Sequence, residues 1–137
     1  MIREISLKDE KEYYYLGKLL NNDFQRLFKL EDEISKSSSK IFVYDDNKVL
    51  GFIELDILPD YVDIINIVVN PNFRNIGIGN KLINYVWNKY KKVPLNIEVS
   101  INNINALKFY EKLGFIKIGV RHGYYNGVDA VRMVKEK

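Results

Sequence analysis

The sequence predicts a mixed α/β domain with a central sheet flanked by helices, and three features predict it. Two β-rich runs flank a polar turn at 45–48, the most β-branched stretch of the chain at 61–69 leads into a helical pattern at 79–91, and two more short apolar runs close the chain. At 137 residues the whole length, 1–137, reads as a single domain, since domains cluster at roughly 100–150 residues.

The elements follow in order. A short strand is expected over 1–6, then two helical stretches at about 8–20 and 22–36 that pair with each other, with Tyr15, Leu16, Leu19 and Leu20 at helical spacing. The biased patch Ser35-Lys36-Ser37-Ser38-Ser39-Lys40 reads as a loop. Ile41 to Tyr44 and Val49 to Leu55 form a hairpin around Asp45-Asp46-Asn47-Lys48, and Leu58-Pro59-Asp60 breaks the chain before the strand at 61–69. The helix at 79–91 carries Leu82, Ile83, Val86, Trp87 and Tyr90 on one face, so strand and helix together read as a crossover. A strand at 94–100, a helix at 103–113 ending on Gly114 as a left-handed cap, and strands at 115–121 and 129–134 complete the chain.

Composition excludes several functions. There are no cysteines, hence no disulfide, no thiolate nucleophile and no sulfur-ligated metal, and the single histidine, His122, makes a triad or a metal site improbable; no metal is expected. A net charge of +3 from 21 basic and 18 acidic residues gives no nucleic-acid arm and no membrane-attracted surface. No apolar run approaches the ~20 residues of a membrane span and no signal-type segment opens the chain, so the expected location is cytoplasmic. The chain is expected to act as a monomer or a dimer.

The junction Asn70 to Lys81 carries the most information. Gly77 and Gly79 stand between a buried strand and a helix, where backbone N–H groups turn toward one point and the helix N-terminus adds positive potential, which makes a cradle for phosphate. The dinucleotide fingerprint and the P-loop both fail to match. A glycine pair alone equally describes a plain strand-to-helix turn. Charge favours the cradle: no acidic residue occurs between Asp63 and Glu98, while Arg74, Lys81, Lys89, Lys91 and Lys92 do. The last three complement a helix C-terminus, which leaves Arg74 and Lys81.

These residues carry a family resemblance. Arg74-x-x-Gly77-x-Gly79 after Ile67-Val68-Val69-Asn70-Pro71 resembles the acyl-CoA pyrophosphate loop of the GNAT N-acetyltransferases. Leu95-x-x-Glu98-Val99, Asn103-x-x-Ala106-x-x-x-Tyr110-x-x-x-Gly114-Phe115 and the tail Arg121-x-x-Tyr124-Tyr125 with Asp129-Ala130-x-x-Met133 resemble the branch that acetylates the N-terminal alanine of a small-subunit ribosomal protein. The match is close over 61–137 and covers 1–60 only in the order of elements.

The resemblance implies a mostly antiparallel sheet in which the strands at 61–69 and 94–100 run parallel and splay apart. Acetyl-CoA would lie with its pantetheine arm on the backbone of Ile67, Val68 and Val69 and its pyrophosphate on Arg74, Asn75, Ile76, Gly77, Ile78, Gly79 and Asn80, with Asn103 beside it. It also implies direct acetyl transfer to a primary amine: Glu98 takes the proton through a water, N–H groups near Val68 and Val69 hold the oxyanion, and Tyr110 protonates the leaving thiolate.

The residues themselves permit this chemistry. Alternation along 95–100 turns Glu98 away from the core, and helical spacing sets Asn103, Ala106, Tyr110 and Gly114 along one stripe. Taken singly, Tyr110 is a core-edge aromatic, Glu98 a solvated strand residue or ion-pair partner, Asn103 a helix N-cap and His122 a surface residue. The interval of 110 − 98 = 12 positions joins the first two as acid and base in the resembled branch. An α-amine of pKa ~7.7–8.0 is neutral at pH 7 far more often than a lysine of pKa ~10.4, so a modest base suffices for a peptide N-terminus.

Glu54, Asp56, Asp60 and Asp63, with no basic residue between Lys48 and Arg74, suggest a cationic acceptor, which suits a peptide N-terminus but also a polyamine or an aminoglycoside. The short loop Asn126-Gly127-Val128 departs from the ribosomal-protein branch. A non-catalytic acyl-CoA sensor is the reading from another class, distinguished by turnover. A nucleic-acid partner is not expected, because the basic stretch at 74–92 does not carry its aromatic residues in the arrangement that a stacking platform requires.

Overall fold

The computed structural model describes residues 1–137, the side chain of Tyr125 excepted, so Tyr125 of the tail motif lies outside the described side chains. In chain order the elements are β1 (Ile2–Glu4), α1 (Glu10–Lys18), α2 (Phe24–Leu27), α3 (Leu30–Ser35), β2 (Ser39–Asp45), β3 (Val49–Ile57), β4 (Val62–Val69), α4 (Ile78–Lys89), β5 (Leu95–Ser100), α5 (Ile104–Lys112), β6 (Ile116–Tyr125) and β7 (Val128–Lys135). Seven strands form one sheet in the order β1-β2-β3-β4-β5-β7-β6. Every neighbouring pair is antiparallel except β4 and β5, which run parallel because α4 carries the chain across between them.

The sheet is covered on both faces. Leu82, Ile83 and Val86 of α4 are fully buried against Leu50, Ile53 and Leu55 of β3 and the inward residues Leu95, Ile97 and Val99 of β5. On the other face Tyr13 and Leu16 of α1 and Phe24 of α2 close over Val43, Phe52 and Val68. Here the structure corrects the sequence pattern: Tyr15, Leu19 and Leu20 are about half exposed, and the buried stripe of α1 is Tyr13, Leu16 and Gly17. Gly17 is demanded by packing, since a Cβ there would stand 2.1 Å from the Phe24 ring.

The expected pair of long helices is three short ones. The Asn21 side chain accepts the Asp23 N–H at 2.9 Å in a turn that ends the first segment, and Phe28 takes an extended ψ of 86° that ends the second. Strand β1 is also shorter than expected, although Ile5 still bonds Ile41 O at 2.9 Å. The hairpin, the crossover, the left-handed Gly114 (φ +95°) and the paired closing strands stand where the sequence places them, with β6 running on to Tyr125.

Two local features position the site. Strands β4 and β5 pair only at Val62↔Leu95, Asp63↔Asn96 and Ile64↔Ile97, and beyond that the ladder stops. Ile65 is the extra residue of a bulge, lying between the pairs Leu55↔Ile64 and Glu54↔Asn66. The bulge re-aims the rest of β4, so its edge from Asn66 to Val69 faces an opening instead of a neighbouring strand. Gly51 lets β3 pass close beneath this region: a Cβ would meet Val68 O at 2.9 Å and the Ile78 side chain at 3.3 Å.

Candidate active site

The opening between the splayed strands is a groove of about 750 Å³. One wall is the free edge of β4, Ile67, Val68 and Val69; the floor is the loop and helix start Arg74, Asn75, Gly77, Ile78, Gly79 and Asn80; the far wall is Asn103, Ala106 and Tyr110 of α5 and its cap. All of these except Ala106 are residues the sequence assigns to cofactor binding or catalysis. Backbone groups on an unpaired strand edge need partners, and the edge offers them to an extended ligand carrying amides.

The cradle follows from backbone geometry. Asn75 (φ 70°) and Gly77 (φ 85°) both take left-handed conformations just before α4, in a turn of the kind whose N–H groups can converge on an anion. Residues 71–77 are exposed, and a Cβ on Gly77 would meet nothing within 4 Å. Gly79 is different: a Cβ there would lie 3.3 Å from Phe109 Cζ, so this glycine lets α4 and α5 pack tightly at the groove's floor.

Three assignments need correction. Ile76 is 59% exposed and its side chain does not line the groove, so what this residue can offer a ligand is its backbone N–H. Lys81 lies over the Tyr44 ring at 5.6 Å on the β2 side of α4, so Arg74 is the basic side chain that faces the cradle among the described residues. Glu54 is 1% exposed and accepts the Tyr13 hydroxyl at 2.6 Å, so it adds nothing to a surface field around Asp56, Asp60 and Asp63. Burial first, then the neighbouring Glu33 carboxyl, pushes its carboxyl up to about 8.

Asn103 caps α5 by accepting the Ala106 N–H at 3.2 Å, which combines the bland and the functional reading in one residue. Tyr110 is 5% exposed, with its ring tilted against Phe109 at 5.2 Å and Phe115 at 5.5 Å, and it reaches the groove from the α4–α5 face of the sheet. Glu98 sits on the opposite face of β5, where its carboxylate meets Arg121 at 2.8 Å. The structure thus brings Tyr110 to the groove but not Glu98, which lines a separate small cavity on the other face of the sheet. His122 is exposed and pairs with Asp129 at 3.2 Å, as a surface residue does.

Leu20 from the end of α1, Asn105 and Phe109 also line the groove. The sequence pattern does not single them out. Phe109 has a readable signal in the glycine of α4 that it packs against, whereas Leu20 arrives only through the tertiary placement of α1.

A bulged, splayed parallel pair with a glycine-bent loop at the head of the crossover helix defines a class. The acetyltransferase (GNAT) domain family matches residues 11–137, and the chain belongs to that family. Among its relatives, the [ribosomal protein bS18]-alanine N-acetyltransferase of Salmonella typhimurium is 30% identical over 83 residues, 58% of this chain and 56% of that one. The N-alpha-acetyltransferase of Sulfurisphaera tokodaii is 27% identical over 150 residues, with 96% and 90% covered. The match thus spans somewhat over half the length of the bS18-alanine enzymes and nearly all of the archaeal one. The crystal structure of Ard1 from Thermoplasma volcanium superposes with a TM-score of 0.84 at 26% identity, covering 99% and 96%. The Escherichia coli ribosomal-protein-S18-alanine N-acetyltransferase gives 0.81 at 24%, covering 99% and 92%, a likeness of fold. No helix among the described residues is long and apolar enough to cross a membrane.

Proposed function

We propose that the chain transfers acetyl from acetyl-CoA to a primary amine, and that the acceptor is the α-amine of a peptide or ribosomal-protein N-terminus. The observation that carries this reading is the free β4 edge running into the left-handed turn at Asn75 and Gly77, one continuous backbone surface along the groove. Acetyl-CoA fits that surface: the N–H groups of 75–80 and Arg74 hold the pyrophosphate, and Ile67 to Val69 hold the pantetheine amides. Its thioester supplies an activated acetyl group.

The chain's own residues do the rest. Glu98 removes the proton from the acceptor ammonium, directly or through a water; N–H groups near Val68 and Val69 stabilise the developing oxyanion; the Tyr110 hydroxyl returns a proton to the departing sulfur. With no cysteine in the sequence, the transfer is direct. The α-amine is favoured over a lysine because it needs only a modest base, and relatives named for bS18-alanine and N-alpha acetylation support it. Spermidine acetyltransferases share the fold, with a TM-score of 0.83 at 21% identity, so a small polyamine is the competing acceptor.

The test is a peptide with an N-terminal alanine and one internal lysine, incubated with acetyl-CoA and mapped by mass spectrometry. Acetyl on the α-amine and none on the lysine is the expected product; acetylation of spermidine but not of the peptide would overturn the choice of acceptor.

A further inference from the structure

A second, smaller cavity of about 80 Å³ lies across the sheet from Tyr110, on the face that Glu98 presents. Four charged residues border it, one from each of four strands: Asp63 on β4, Glu98 on β5, Arg121 on β6 and Arg132 on β7. Their common orientation follows from register, because Asp63 stands opposite Asn96, one pleat from Glu98, and Arg132 stands opposite Glu98 itself.

The two carboxylates are not equivalent. Glu98 is engaged by Arg121, whose guanidinium lies 2.8 Å from it and over the Tyr124 ring at 4.7 Å. The Asp63 side chain makes no hydrogen bond and no ion pair among the described residues, although the residue is half-buried. Burial, then the charge of Glu98 and then that of Asp56 push its carboxyl above the ordinary aspartate range, against the opposing pull of Arg121 and Arg132. An ammonium beside Asp63 would relieve all three. The same ammonium at Glu98 would have to compete with Arg121.

We propose that Asp63 docks the acceptor's ammonium group beside Glu98 in this cavity, next to the point where the β4–β5 ladder ends, and that the guanidinium groups of Arg121 and Arg132 select an acceptor whose amine is flanked by a carbonyl. This deepens the N-acetyltransferase reading and rests on it. Two acids and two bases give the cavity no formal net charge, so an α-amino amide satisfies both signs. A polyamine presents only positive groups and meets the arginines unfavourably.

The experiment uses the full chain with acetyl-CoA, and with alanine amide and spermidine as probes. In Asp63→Asn the side chain keeps its shape and loses a charge the fold disfavours, so the variant folds. Its KM for alanine amide rises roughly tenfold, as expected for a lost charge-assisted contact that is partly exposed, while CoA affinity by calorimetry stays within about twofold. Asp63→Glu recovers part of the loss. Arg132→Ala narrows the preference for alanine amide over spermidine.

An unchanged KM in Asp63→Asn, in a wild type that acetylates alanine amide, overturns the inference and leaves the enzyme reading standing. Binding of CoA with turnover of neither probe overturns both.

Discussion

Gly79 of α4 faces the ring of Phe109 on α5 so closely that a β-carbon would stand 3.3 Å from Cζ, whereas Gly77, two residues earlier, faces open space with a φ of +85°. The two glycines of one motif thus serve different ends. Gly79→Val pushes the two helices apart and lowers stability by about 1–3 kcal/mol, as overpacking does, with weaker CoA binding as a consequence. Gly77→Val strains the left-handed turn and turns a side chain into the groove, so CoA affinity falls further than stability does. Thermal unfolding and calorimetry on both variants separate the cases; equal losses of stability would contradict the distinction.

Arg74 is exposed at the lip of the cradle. Its charge is screened and adds to a site already made by backbone, so Arg74→Ala weakens CoA less than Gly77→Val, and the difference from wild type shrinks as salt is raised. A salt titration by calorimetry checks this, and a loss larger than that of Gly77→Val would reverse the ranking.

Glu54 gives a prediction for stability. Its Oε1 takes the Tyr13 hydroxyl, and its Oε2 is buried with no hydrogen-bond partner. A proton on Glu54 satisfies that group, with Glu33 as the neighbour on α3 and Asn66 on β4. The folded value of about 8 lies above the ordinary 4.5, so the stabilisation is complete below about pH 4.5 and is lost as pH rises through about 8. Glu54→Gln keeps the neutral form at every pH. Its stability advantage over wild type grows across that window to a few kcal/mol, on the order of what such a shift implies; parallel curves of unfolding free energy against pH would contradict the buried-acid account.

Much of this was legible in the sequence because the signals are local. The β-branched run, the amphipathic spacing of Leu82, Ile83 and Val86, and the glycines of the turn depend on near neighbours, and the structure places them as expected. The N-terminal third was not, because its helix ends lie at a local turn at Asn21 and an extended residue at Phe28 that the apolar spacing does not mark, and its buried stripe is set by packing such as Phe24 against Gly17. Burial of Glu54 was hidden for the same reason: Glu54-x-Asp56 reads as a polar strand face until α1 and α3 cover it. The bulge at Ile65 leaves no mark on composition, yet it decides where β4 and β5 part.

Tyr110 tests the acid. Tyr110→Phe keeps the ring contacts with Phe109 and Phe115 and deletes the hydroxyl alone. The loss is expected in kcat, by about 10²–10⁴, with the KM for acetyl-CoA little changed. A rise in that KM with an intact kcat would make Tyr110 a binding residue.

Amine-dependent release of CoA thiol by the wild-type chain, with saturating acetyl-CoA and an alanyl peptide, tests the central claim most directly. The account predicts release that rises and saturates with peptide and stays near background without it. Tight binding of acetyl-CoA with no peptide-, polyamine- or aminoglycoside-dependent release would contradict it and make the chain an acyl-CoA sensor.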